Sequence, residues 1–403
     1  MLLVLITGFA LSQAFRTVAA IMAPPLQQAF ALTPQQLGLF AGAFHFSFGA
    51  LQLFMGMGID VYGPRRTVLA VFPLAIAGAL VTASAQSYAG LIAGQVLTGI
   101  GCAPAFLVCT VFIARSFPAE RFSTVNGAAL GIGSVGLLMT GTPLAWIIEH
   151  SSWRAGFVTL AACAAVAWLC ILLLVRERPA ADEHRQANVL QALRGYGELF
   201  RLPHTRGIIA LAVFTYASFL SLRGLWLGPL LIERHGFSLV GTGNVALAVS
   251  LVGMAGPPLF GRLDPGDRER RGWITGFTLL CALVFAAMAL DLGAFVDIAG
   301  ALAIGLLSGF IVWQYADVRA AYPARMTGRA MAVFTMAMFL GVALMQWLTG
   351  LAASAAVTLK VEPYGAVLAA IFGFLVIAAV AFQRLPQPPS AGKAADDPAQ
   401  SAA

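Results

Sequence analysis

A short polar stretch separates two apolar runs near the start of this chain and reads Gly56-Met57-Gly58-Ile59-Asp60-Val61-Tyr62-Gly63-Pro64-Arg65-Arg66. Apolar residues fill about 34–57 before it and about 67–86 after it. About twenty apolar residues span a bilayer as a helix, so the stretch predicts a tight turn between two membrane helices. The whole chain continues in this way, since it is 60% hydrophobic and only 10% charged, with a mean hydropathy of +0.86. This composition excludes a soluble domain and predicts an all-α, multi-pass membrane protein.

The apolar runs predict twelve transmembrane spans, at about 2–29, 34–57, 67–86, 88–114, 123–148, 154–175, 205–232, 239–261, 273–291, 294–318, 327–352 and 362–383. Loop charge sets their orientation. If both termini are cytoplasmic, only Arg154, Arg234 and Lys360 of the 24 Lys and Arg lie outside, and two more lie within spans. Because cytoplasmic loops are enriched in Lys and Arg, we expect this orientation in a bacterial inner membrane.

The two halves of the chain repeat each other at an offset of about 205 residues. Arg16 precedes Phe30-Ala31-Leu32 by fourteen residues, and Arg223 precedes Phe237-Ser238-Leu239 by fourteen. We therefore predict six-span halves at 1–176 and 204–383, a cytoplasmic linker at 177–203 with an amphipathic helix, and a disordered tail at 384–403. In transporters built from such repeats, the substrate site lies between the halves near the bilayer midplane.

The first loop resembles the signature loop of the major facilitator superfamily, and the twelve spans, the six-plus-six repeat and Trp153-Arg154-x-x-Phe157 extend that resemblance over the chain. The resemblance implies that Gly56, Asp60, Gly63, Arg65 and Arg66 form a conformational latch between the halves. One departure concerns the proton-coupled drug antiporters of that superfamily, which usually carry an arginine in the fourth span. Gln95 occupies that position in this chain, which makes drug efflux a less favoured function.

Two arginines lie near the middle of apolar spans, Arg16 in the first and Arg223 in the seventh. A cation at that depth costs about 2.5–3.5 kcal/mol on insertion scales, so each side chain must face protein, water or a ligand. We expect both to face one central cavity and to bind a carboxylate or phosphate through their planar forks. The alternative is that each pairs with a carboxylate or with helix carbonyls. The pair also resembles the arginines of organophosphate:phosphate exchangers.

Further lining residues follow from helical spacing and from polar or aromatic character inside spans. The predicted substrate-binding set besides the arginines is Phe9, Gln13, Gln95, Tyr216, Trp226, Trp313 and Gln314. His45, in the middle of the second span, could titrate near neutral pH and couple protons, or could be a neutral histidine hydrogen-bonded to a neighbouring helix.

These features predict a secondary active transporter that moves a small organic anion, a carboxylate or phosphate, by alternating access. A proton-coupled multidrug or metabolite exporter of the same fold is the first alternative. An intramembrane enzyme or a copper transporter is a remote one, the latter resting on Cys102, Cys109 and the methionines of span eleven. We expect a monomer in the lipid bilayer that is not an enzyme, with no cofactor, metal or nucleic acid and with protons left open as a coupling ion.

Overall fold

A computed structural model describes residues 1–176, 197–386 and 388 of the chain. Within them every regular element is a helix. Ten helices are long and apolar enough to cross a bilayer, and two bent helix pairs bring the number of spans in this part to twelve. The predicted all-α fold of twelve spans is confirmed. The predicted linker helix lies largely in 177–196, and the predicted tail lies largely in 389–403, both outside the described residues.

We number the spans α1 to α12. The first half contains α1 (Leu2–Thr17 and Ala19–Phe30), α2 (Pro34–Ala50 and Gln52–Tyr62), α3 (Pro64–Val71 and Pro73–Ser84), α4 (Tyr88–Cys102 and Ala105–Ser116), α5 (Ala119–Gly133, Val135–Met139 and Thr142–His150) and α6 (Trp153–Leu174). The second half contains α7 (Thr205–Ser221, Leu222–Trp226, Leu227–Pro229 and Leu230–Arg234), α8 (Leu239–Arg262), α9 (Arg270–Ala289), α10 (Ala294–Leu307, Ser308–Phe310 and Ile311–Ala321), α11 (Ala324–Thr358) and α12 (Pro363–Arg384).

Helix starts follow local capping chemistry. Thr33 and Gln36 form a reciprocal capping box at the start of α2, with the Thr33 amide donating to Gln36 Oε1 at 2.9 Å. Ser87, Ser152 and Ser238 cap α4, α6 and α8 through side-chain oxygens. A side-chain oxygen at this position accepts from an amide that the first helical turn leaves unpaired.

Two spans bend and one changes its winding where the site lies. The two segments of α1 meet at 46° next to Thr17, and those of α2 meet at 40° near Ala50. In α7, residues Leu222–Trp226 are wound as a π-helix, which contains Arg223. Single turns of π-helix are rare in proteins, and those that are found often lie at functional sites.

Among the described residues, the halves touch mainly where α1 meets α7, α2 meets α11, and α5 meets α8. Glycine makes this contact close. A Cβ atom at Gly38 of α2 would overlap the carbonyl oxygen of Gln346 in α11, and one at Gly141 of α5 would lie 2.9 Å from the carbonyl oxygen of Gly243 in α8. Small residues of this kind let membrane helices pack backbone against backbone.

These close contacts lie toward one end of the bundle, the predicted periplasmic end. At the other end, a Cβ at Gly127 or Gly131 of α5, or at Gly328 of α11, would meet no described atom within 4 Å. The halves therefore pack tightly at the predicted periplasmic end and separate toward the predicted cytoplasmic end.

Two ion-pair networks stabilise the second half. At the predicted periplasmic end, Arg234 lies 3.1 Å from the fully buried Asp297 and 2.6 Å from Glu362, which ties α7 to α10 and α12. At the opposite end, Arg271 of α9 donates two 2.9 Å hydrogen bonds to Asp317 of α10. There Arg270 also pairs with Asp264, and its hydrogen bonds hold the pKa of that carboxyl below its ordinary value.

Candidate functional site

Arg16 lies in the last turn of the first segment of α1, immediately before the bend, and is only 6% exposed. Its guanidinium lies against two neighbouring rings, 4.9 Å from the centre of Phe48 in α2 and 4.6 Å from that of Phe339 in α11. Cation–π contacts of this kind contribute about 0.5–2 kcal/mol each. In the described part of the chain, no carboxylate pairs with Arg16 and its Nε has no hydrogen-bond partner. The two ring centres are only 4.5 Å apart, so both rings lie on one side of the cation and leave its other side free of aromatic contact from them.

Polar side chains with unused hydrogen-bonding atoms surround this cation. His45, one turn before Phe48, is hydrogen-bonded through Nδ1 to the carbonyl oxygen of Ala41 at 3.1 Å, and its Nε2 is buried without a partner. Gln346 of α11 is fully buried beside His45, and its amide lies close enough to the imidazole for the two side chains to interact. Gln13, one turn before Arg16, has an unpartnered Oε1.

We call Gln13, Arg16, His45, Phe48, Phe339 and Gln346 the central cluster. It combines helices of both halves, α1 and α2 from the first and α11 from the second. Buried polar atoms almost always have partners, so several unpaired atoms around one cation point to a ligand or to water. The cluster can bind an anion at the edge of the guanidinium and polar groups at the two amides and the imidazole.

Arg223 has a different environment. It is fully buried, and its Nε donates to the carbonyl oxygen of Ala246 and to Ser250 Oγ, both at 3.0 Å on α8. Its Nη2 donates across the interface to the carbonyl oxygen of Leu137 at 3.1 Å and to Thr140 Oγ1 at 3.5 Å, both on α5. The side chain thus joins the two halves at the end where they are closed.

The two predicted arginines are directed into different gaps between the halves in this structure, and the expectation that both face one cavity stays a prediction. The backbones of α1 and α7 pack against each other, because a Cβ at Gly228 would overlap the carbonyl oxygen of Ala20. Side chains at equivalent positions then leave this contact in opposite directions. Arg16 enters the gap between α2 and α11, and Arg223 enters the equivalent gap between α8 and α5. The contacts of Arg223 follow the alternative prediction, in which the arginine pairs with helix carbonyl oxygens.

Of the other predicted lining residues, Tyr216 lies beside the central cluster, with its ring edge-on to Phe339 at 5.8 Å. Gln314 accepts a hydrogen bond from Thr215 at 3.0 Å, and its Nε2 has no partner. Phe9 packs on Phe106 in the first half, 5.0 Å between ring centres. Gln95 is buried on α4.

The two predicted tryptophans do not belong to the cluster. The Trp313 indole donates to the carbonyl oxygen of Phe260 at 2.8 Å and packs among aromatic rings of α8, α9 and α10. The Trp226 indole donates to Thr349 Oγ1 at 2.9 Å. Both indoles have their hydrogen bond and fill space within the second half, because an indole N–H in an apolar bundle needs an acceptor. Helical spacing alone did not distinguish this role from a place at the site.

The residues of the first loop lie at the predicted cytoplasmic end. Gly63 has a φ of +86°, which explains glycine at the turn, and Arg66 is exposed. Arg65 donates to the carbonyl oxygens of Val175 at 2.5 Å and Leu172 at 2.9 Å, at the end of α6 in its own half. A cation is favourable at the carboxyl end of a helix. The Asp60 side chain lies outside the described residues, and the latch stays a prediction.

Three residues of the central cluster were absent from the sequence-based set, namely Phe48, Phe339 and Gln346. Gln346 carried a signal, since it is a lone amide in the apolar run Leu340-Gly341-Val342-Ala343-Leu344-Met345-Gln346. The search for polar residues inside apolar spans selected Gln13, and the same search also selects Gln346. The two phenylalanines carried none, because phenylalanine occurs throughout these spans.

Twelve helices in two halves, with buried polar groups between them, define a polytopic membrane protein of the transporter class. The chain belongs to the Major Facilitator Superfamily, whose sequence profile matches residues 4–346. The predicted resemblance is confirmed. The relatives it matches are transporters, in agreement with a function other than catalysis.

Two curated relatives carry substrate names. A probable sulfoacetate transporter of Cupriavidus necator is 23% identical over 270 residues, which cover 64% of this chain and 62% of that protein. A hexuronate transporter of Bacillus subtilis is 22% identical over 246 residues, which cover 60% of this chain and 58% of that protein. The chain thus matches less than two thirds of the length of either relative. The crystal structure of a D-xylose–proton symporter shares the fold, with a TM-score of 0.77 and 15% identity over 96% of this chain and 97% of that one.

Proposed function

We propose that the protein is a secondary active transporter that moves a small organic anion across the bacterial inner membrane. The observation that carries the proposal is Arg16, a buried cation between the halves with no carboxylate partner in the described residues and with unpaired polar atoms around it. Guanidinium matches carboxylate or phosphate in a planar, two-bond geometry. The names of the two curated relatives, which concern a sulfonated carboxylate and sugar acids, support an anionic substrate.

Alternating access fits the way the halves meet. The close contacts lie at one end, where Arg223 reaches from α7 and α8 to α5. Opening that end requires the Arg223 contacts with Leu137 and Thr140 to break, since these residues lie on the opposite half. In this proposal Arg16 binds the substrate and Arg223 holds the closed end.

His45 remains the candidate for proton coupling. Its Nε2 is unpartnered and lies in the central cluster, near the cation that binds the anion. An imidazole in this position can exchange a proton when substrate enters or leaves. We keep this as an accessory part of the proposal.

The drug-exporter alternative has less support. A lipophilic cation needs a buried carboxylate without a fixed cationic partner. Among the described residues, the fully buried Asp297 is bound to Arg234 and His235, and the buried Asp317 is bound to Arg271. Both carboxylates are already neutralised within the second half.

The experiment is a ligand screen of the purified protein, followed by uptake in proteoliposomes. Carboxylates, sulfonates, organophosphates and cationic drugs are compared by thermal shift, since a ligand of the native state raises the apparent melting temperature. We expect an anion to stabilise the wild-type protein and Arg206→Gln, a matched substitution at an exposed arginine, but not Arg16→Gln. Stabilisation by cationic drugs and by no anion would favour the exporter. An unchanged anion response in Arg16→Gln would remove Arg16 from the site.

A further inference from the structure

We infer that the substrate carries one anionic group and several hydroxyl groups, as a hydroxylated monocarboxylate does. The inference rests on the proposed function, because it assumes that the central cluster binds the transported anion. It adds the charge and the hydrogen-bonding character of that anion.

The charge follows from the number of available cations. Arg16 is the arginine of the central cluster, and no described carboxylate neutralises it. Arg223 is not a member of the central cluster, since it is directed into the opposite gap, where oxygens of α5 and α8 accept hydrogen bonds from its Nε and Nη2. With His45 neutral, a dianion bound at Arg16 would leave one charge without a counter-charge. Burying an unpaired charge is strongly unfavourable, whereas a single carboxylate is balanced.

The approach to Arg16 is restricted by its two rings. Phe48 and Phe339, whose own ring centres are 4.5 Å apart, both lie on one side of the guanidinium, so a ligand reaches Arg16 from the other side. A carboxylate accepts two parallel hydrogen bonds in this geometry. The anionic group is therefore placed on the open side of Arg16, with the rest of the ligand directed toward the neighbouring polar side chains.

The hydroxyl groups follow from the unpaired atoms. Gln13 offers a buried, unpartnered Oε1, and Gln346 and His45, whose side chains lie close to each other, offer a buried amide and a ring nitrogen. These atoms include donors and acceptors close together. A hydroxyl both donates and accepts, and thus suits each of them. An aliphatic or aromatic carboxylate would bind Arg16 but leave these groups unpaired, which costs affinity.

The number of charges and the hydroxyl content distinguish the substrates after which the two curated relatives are named. Sulfoacetate has two anionic groups and no hydroxyl, whereas a hexuronate has one carboxylate and several hydroxyls. The central cluster of this chain fits the second pattern.

The test compares ligands that differ in one property, on the full chain in detergent and in proteoliposomes. Glucuronate is paired with glucarate and galacturonate with galactarate, which adds a second carboxylate, and open-chain gluconate controls for the loss of the sugar ring in the dicarboxylates. Cyclohexanecarboxylate keeps the single charge and removes the hydroxyls. We expect at least one hexuronate to bind about tenfold or more tightly than its dicarboxylate and than cyclohexanecarboxylate, the size expected when a charge or buried polar groups lose their partners.

Gln346→Leu tests the hydroxyl contacts, with Gln86→Leu at an exposed position as the matched control. We expect Gln346→Leu to weaken the hexuronate about tenfold and leave cyclohexanecarboxylate within about threefold, because only the hydroxylated ligand uses the amide. A dicarboxylate that binds more tightly than its hexuronate would overturn the single charge, and equal binding of cyclohexanecarboxylate would overturn the hydroxyls. Either result leaves the proposed function intact, whereas a lack of binding by every anion of the wider screen would refute the proposed function itself.

Discussion

Arg16 and Arg223 occupy equivalent positions in the two halves, yet their neighbours give them different chemistry. Arg223 meets Ser250, Thr140 and accessible carbonyl oxygens, which accept its hydrogen bonds. Arg16 meets Phe48 and Phe339, whose faces attract a cation without satisfying its donors. Oxygens therefore accept hydrogen bonds from Nε and Nη2 of Arg223, whose Nη1 has no partner among the described residues, whereas Arg16 Nε has none at all there.

A lysine substitution should distinguish the two roles. Arg16→Lys keeps the charge but loses the planar fork, so we expect anion affinity to fall about tenfold or more. Arg223→Lys cannot reach α5 and α8 at the same time with one ammonium group, so we expect slower uptake with affinity within about threefold of wild type. Uptake rates and thermal-shift affinities of both variants measure this. Equal losses of affinity in the two variants would return Arg223 to the substrate site.

At the scale of elements, the contact between α2 and α11 positions the central cluster. Gly38 and Gly42 bring the α2 backbone against the carbonyl oxygens of Gln346 and Ala343 in α11. Gln346 itself belongs to the cluster, so the same close approach that seals the closed end also sets the position of a polar side chain at the site.

Gly38→Val should disrupt this contact, because its side chain would overlap the Gln346 carbonyl. Overpacking of this kind costs about 1–3 kcal/mol. We expect a lower apparent melting temperature and at least tenfold slower uptake. Gly373→Val is the matched control, since a Cβ at that helical glycine meets no described atom within 4 Å. A Gly38→Val protein as active and stable as the control would show that the contact is dispensable.

At the scale of the whole molecule, the two halves are joined at the predicted periplasmic end and apart at the predicted cytoplasmic end. The contrast between Gly38 or Gly141, which have backbone neighbours in the other half, and Gly131 or Gly328, which have none among the described atoms, carries this conclusion. Transport requires that the halves also adopt the reverse arrangement, apart at the predicted periplasmic end and joined at the predicted cytoplasmic end.

Cysteine labelling should report both the conformation and the orientation. In a background where the partly buried Cys163 and Cys170 are serine, a cysteine at Gly131 or Gly328 should react with an impermeant thiol reagent from the cytoplasmic side. Ala343→Cys, buried between α2 and α11, should react slowly and become accessible during turnover. Labelling of Gly131→Cys from the periplasmic side only would reverse the predicted orientation. Rapid labelling of Ala343→Cys without substrate would contradict the closed end.

The sequence by itself determined the twelve spans, the repeat of two halves, the family and the burial of two arginines. These properties depend on the length of apolar runs and on where charges stand along the chain, which are local quantities. The predicted division at 177–203 and the latch role of Asp60 and Arg65 stay predictions.

Only the tertiary structure decided which arginine is available, which aromatic residues surround it, and that Trp226 and Trp313 belong elsewhere. Arg223 donates hydrogen bonds to residues that lie 83 to 86 positions earlier and 23 to 27 positions later in the chain. Phe339 and Gln346 meet Arg16 and His45 across more than 290 residues. The face that a buried helix turns toward a distant neighbour depends on how all the helices pack together. Hydropathy is nearly uniform around these spans, so it does not predict that face.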